Sequence, residues 1–61
     1  MISDIDTIKE NIKDIEENIK EYEQQILALN LDDPKIEDLK QKISDLEHFK
    51  RDYEAKLARL M

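Results

Sequence analysis

The sequence predicts an all-α fold, an antiparallel two-helix hairpin of coiled-coil type, and three observations carry that expectation. Ile5, Ile8, Ile12, Ile15, Ile19, Tyr22, Ile26 and Leu29 recur at alternating spacings of three and four. Ile36, Leu39, Ile43, Leu46, Lys50, Tyr53, Leu57 and Leu60 repeat that alternation. Both series are heptad a/d stripes, with Ile5 and Ile36 at a, and such stripes bury themselves by packing helix on helix. The third observation is the break between them, Asn30-Leu31-Asp32-Asp33-Pro34, the strongest interruption in the chain.

The first helix is expected over about 3–30. Ser3 with Asp6 three residues later approximates a capping box, and Asp4 and Asp6 place negative charge where the helix dipole favours it. Asn30 is read as the C-cap, because asparagine tolerates the left-handed conformation when no glycine is present. A turn over 31–33 follows. Asp33 then serves as N-cap and Pro34 as first helical residue of a second helix over about 34–60, since proline needs no amide hydrogen there. Each helix spans about 26 residues, roughly 40 Å. So short a connection makes the helices antiparallel neighbours within a single domain, 1–61.

That topology fixes a register. Folding about the turn pairs Leu29 with Ile36, Ile26 with Leu39, Tyr22 with Ile43, Ile19 with Leu46, Ile12 with Tyr53, Ile8 with Leu57 and Ile5 with Leu60. One layer is flawed, where Ile15 faces Lys50. The two flanks then differ. On the e side Lys9 approaches Glu54, Glu23 approaches Lys40 and Glu16 meets Glu47. On the g side Asn11, Asn18 and Gln25 face Lys56, Phe49 and Lys42, with no acidic residue across the middle.

Composition narrows the function classes. Charged residues are 43% of the chain, aromatics 5%, and the net charge is -6, a balance that with heptads belongs to acidic coiled coils. Without cysteine, disulfides and thiolate metal sites are excluded. No apolar run approaches the ~20 residues of a membrane span, and no leader pattern is visible, so a soluble cytoplasmic protein is expected. Asp45-x-x-His48 resembles half of a di-iron motif, but its c and f positions point outward, so no metal is expected. No cofactor is expected either, and with no glycine-rich loop or nucleophile beside a base the chain reads as non-enzymatic. The negative charge disfavours nucleic acid as a partner.

A two-in-seven stripe is narrower than the face a globular helix usually buries. Self-association is therefore expected, as a homodimer forming a four-helix bundle, with Asn11, Asn18, Gln25, Lys42, Phe49 and Lys56 as the contact residues for a second copy or another protein. The functional expectation is a small regulator or adaptor that binds proteins through helix faces.

The stretch from Leu29 to Ser44 resembles the centre of the short helical-hairpin aspartyl-phosphate phosphatases of sporulating bacilli. Those proteins carry a Leu-x-Asp-Pro-like turn and a Ser-Gln-Glu-Leu-Asp motif opening the second helix. Aligned on Leu39, the motif falls on Lys40 to Ser44, where Gln41 is identical and Ile43 a like replacement. The resemblance implies a response-regulator partner and a role for Gln41. Lys40 in place of the serine and Ser44 in place of the acidic residue imply that the dephosphorylating activity is lost. Two further alternatives stand: an RNA-binding hairpin dimer, similar in architecture to plasmid-copy-number regulators, and a de novo designed bundle. The Ile15–Lys50 layer and the Glu16–Glu47 pair weigh against design.

Overall fold

The computed structural model describes residues 4–60 and forms two α-helices joined by a tight turn. α1 runs Asp4–Ala28 and α2 runs Lys35–Leu60. The helices lie side by side and antiparallel. Asp4 and Thr7 share a groove with Arg59 and Leu60 at one end, while Leu29 lies beside Leu39 at the other. The result is an elongated single layer, 46 × 18 × 12 Å, with a radius of gyration of 14.4 Å. A compact domain of this length has roughly 10 Å.

The heptad reading places the core. From Ile5 to Leu57 every a and d residue of both stripes is buried or half-buried. Among the other described residues the same holds for Asn11 and Asp33 alone. The deepest are Ile8 and Ile15 from α1 with Ile36 and Leu39 from α2, each 7–9% exposed. Two cross-helix contacts lie beside layers that the register sets opposite each other. The Lys42 ammonium lies over the Tyr22 ring, and Lys50 reaches Glu16. Leu60 departs from the pattern at 50% exposure. It sits in the last described layer.

The helix ends depart from the sequence expectation. α1 stops at Ala28, two residues before Asn30, and α2 begins at Lys35, so the connection is longer than 31–33. No described residue has a positive φ, so Asn30 is not a left-handed C-cap. α1 instead closes by tightening: the Leu29 N–H donates to the Ile26 carbonyl at 3.1 Å, a 3₁₀-type bond. The Asp33 N–H then donates to the Asn30 carbonyl at 2.9 Å, closing a four-residue turn with ordinary right-handed geometry. The α2 cap is as read from the sequence. The Lys35 N–H donates to Asp33 Oδ1 at 2.9 Å, and Pro34 occupies the position that needs no donor. The Ser3 cap lies outside the described residues.

Asp33 therefore joins turn and helix, and its removal should be felt. Asp33→Ala is expected to lower the unfolding free energy by about 1 kcal/mol. Urea denaturation followed by helical circular dichroism reads this; an unchanged midpoint would mean the cap contributes nothing.

Candidate functional site

Two helices packed through one stripe leave both broad sides of the seam uncovered, and the sides differ chemically. The e side is a charged trough lined by Glu16, Glu23, Glu47 and Glu54 against Lys20, Lys50 and Arg51. The Lys50 ammonium lies 3.4 Å from Glu16 Oε1. Lys50 is half-buried at the seam position that the register sets opposite Ile15, and its ammonium reaches the edge, as long cationic side chains do. Glu16 is thus turned toward Lys50, where the sequence suggested a like-charge encounter with Glu47. The pairs expected between Lys9 and Glu54 and between Glu23 and Lys40 do not close to ion-pair distance. Exposed pairs of that kind gain little Coulomb energy and lose side-chain freedom.

The g side is less charged and carries three open troughs in line. One near the turn lies between Gln25, Ala28 and Leu29 of α1 and Leu39 and Lys42 of α2. A middle one lies between Asn18 and Tyr22 and Lys42, Asp45 and Leu46. The far one includes Ile8, Tyr53 and Lys56. Their volumes, about 450, 300 and 350 Å³, are open to solvent, which suits a docked helix face better than an enclosed small molecule.

Of the six contact residues read from the sequence, Asn11 is half-buried; Asn18, Gln25, Lys42, Phe49 and Lys56 are exposed. Phe49 stands 57% exposed near mid-length of α2. The two lysines are held. Lys42 Nζ lies 5.7 Å from the Tyr22 ring centre across the seam, and Lys56 Nζ lies 5.5 Å from that of Tyr53 one turn earlier. Such cation–π contacts contribute roughly 0.5–1 kcal/mol at exposed sites and orient the ammonium groups along the trough. Neighbouring c positions carry Asp14, Glu21, Asp38, Asp45 and Asp52, all exposed, so the g side is a weakly basic strip between acidic borders.

Gln41 lies elsewhere, at an f position on the outer side of α2. It is exposed and donates from Nε2 to Asp45 Oδ1 at 3.1 Å. Among the described residues no three His, Cys, Asp or Glu side chains gather to hold a metal ion. Among the described residues no helix is long and apolar enough to cross a membrane. Leu27, 85% exposed, and Leu31, 100% exposed, were missed by the heptad analysis. One falls at b and the other in the turn, outside the stripe phase; two leucines off-phase within one short stretch were the signal. No family model, no curated protein and no solved structure matches this chain.

The Lys50 layer gives a direct test of the seam. Lys50→Ile is expected to raise the unfolding free energy by about 1 kcal/mol, because an aliphatic side chain then faces Ile15. Glu16→Gln is expected to change it by less than about 0.5 kcal/mol, since the pair is exposed. Chemical denaturation of the two variants distinguishes a packing defect from a stabilising ion pair.

Proposed function

We propose that this chain is a non-catalytic interaction module, a regulator or adaptor of the cytoplasm that pairs with a second copy through its g side and recognises another protein by helix face. The observation that carries this is surface. The folded chain exposes 5175 Å². A monomer of 7.3 kDa is expected to expose about 4,200 Å². The excess, roughly 1,000 Å², is close to the ~800 Å² each partner contributes to a standard protein–protein interface. No side chain among the described residues falls below 2% exposure, so the isolated hairpin has no dry interior.

The g side is the better candidate for covering, for two reasons. It holds Phe49 and the troughs over Tyr22 and Tyr53, whereas the e side is ringed by glutamate, lysine and arginine that are better left in water. Its charges are also self-complementary. Lys42 and Lys56 of one copy can reach the acidic c positions of another, as in the edges of a four-helix bundle.

Sedimentation equilibrium at micromolar concentration tests this. The wild-type chain is expected at twice its monomer mass, and Phe49→Asp at the monomer mass, because a buried unpaired carboxylate opposes association. A folded wild-type monomer would sink the proposal.

A further inference from the structure

Pairing through the g side leaves one apolar feature unexplained. Leu27 and Leu31, the two most exposed large hydrophobic side chains among the described residues, both sit at the turn end. Leu27 occupies a b position, on the flank away from g, so a partner on the g side does not reach it. Leu31 stands within the four-residue turn closed by the Asp33 N–H and Asn30 carbonyl. That turn is further held by the Asp33 cap and by Pro34. The leucine contributes nothing to the hairpin's own packing, and the turn needs no apolar side chain there. Two hydrogen bonds hold the turn's backbone, and a backbone so held loses less entropy on binding.

The charges around these leucines indicate what would cover them. α1 has no basic residue in its last turn, whereas α2 ends with Arg59. The negative pole of α1 therefore emerges beside Leu27 and Leu31 with no basic residue in its last turn, while the adjacent positive pole of α2 is met by the Asp33 cap and by Glu37 and Asp38. Asp32 and Asp33 lie in the turn, and Glu23 and Glu37 on the Leu27 flank, against Lys40 there and Lys20 two turns further along α1. Lys35 lies toward the g side with Gln25 and Ala28. The leucines thus sit in an acidic surround. The turn end of a second copy carries the same charges, so end-to-end pairing is repulsive. An anionic membrane is repelled for the same reason.

We propose that the turn end, built on Leu27 and Leu31, is a second docking surface, and that it receives a basic amphipathic helix of another protein. The apolar face of that helix lies against the two leucines. Its lysines or arginines supply the positive charge that the last turn of α1 lacks. The surface is independent of the g side, so the dimer and this complex form together or separately.

The probe is a synthetic Leu/Lys amphipathic peptide of about 18 residues, long enough to hold a helix on a surface. Its control is the matching Leu/Glu peptide. Each is titrated into the isotope-labelled full chain at about 0.15 M ionic strength, where distant charges are screened. The Leu/Lys peptide is expected to shift the Leu27, Leu31 and Asp32 resonances most, and the Leu/Glu peptide to leave them unmoved. Leu27→Ser with Leu31→Ser is expected to weaken binding about tenfold or more, with helicity and sedimentation mass unchanged. Four results would overturn the inference: no binding, shifts centred on the g side, equal binding of both peptides, or unchanged affinity in the serine variant. A fall in self-association in that variant would overturn it too, because a second copy would then be the occupant.

Discussion

Everything in this hairpin depends on a seam two residues wide. Isoleucine, leucine and tyrosine from two antiparallel helices meet along one line, and that line sets the register, the flanks and the faces. Because the seam is narrow, its deepest residues keep 7–9% of their surface in water. Hydrophobic burial scales with area removed from solvent, so such a seam holds two helices together while leaving much of their apolar surface unspent. The turn cap and the tightened end of α1 anchor it at one end. The last described layer, at Leu60, is only half covered.

The differences between the two sides follow from the same geometry. A seam of a and d residues must be bordered by e on one side and g on the other. Here the e border carries ionised groups of both signs that belong in water. The g border carries amides, one phenylalanine and two lysines laid over tyrosine rings. Those rings are seam residues whose outer edges reach the trough, so the core and the candidate site share atoms. A partner on the g side would extend the core rather than attach beside it.

The seam was legible from sequence because a heptad repeat gathers its a and d residues on one helix face, and side-chain phase then fixes burial position by position. Every stripe residue from Ile5 to Leu57 lies where the spacing places it. The α2 cap was legible for a similar reason, since Asp33-Pro34 has few other uses. The end of α1 was not. Asn30 suggested a left-handed cap, whereas local 3₁₀ closure at Leu29 meets the Ile26 carbonyl without one. Competing ways of satisfying a helix end differ by little, and sequence does not rank them. Lys50 was legible as a flaw but not in its resolution toward Glu16, because a long side chain chooses among edge partners by rotamer. Leu27 and Leu31 escaped because periodicity finds what faces the partner helix, and these face away from it.

On the proposal that a second copy completes the exposed side of this seam, folding and association are coupled. The most direct measurement is the thermal unfolding midpoint by circular dichroism over about a hundredfold range of protein concentration. If the claim holds, the midpoint rises steadily with concentration, because dilution removes the surface that completes the core. A midpoint independent of concentration, at the monomer mass, would contradict it.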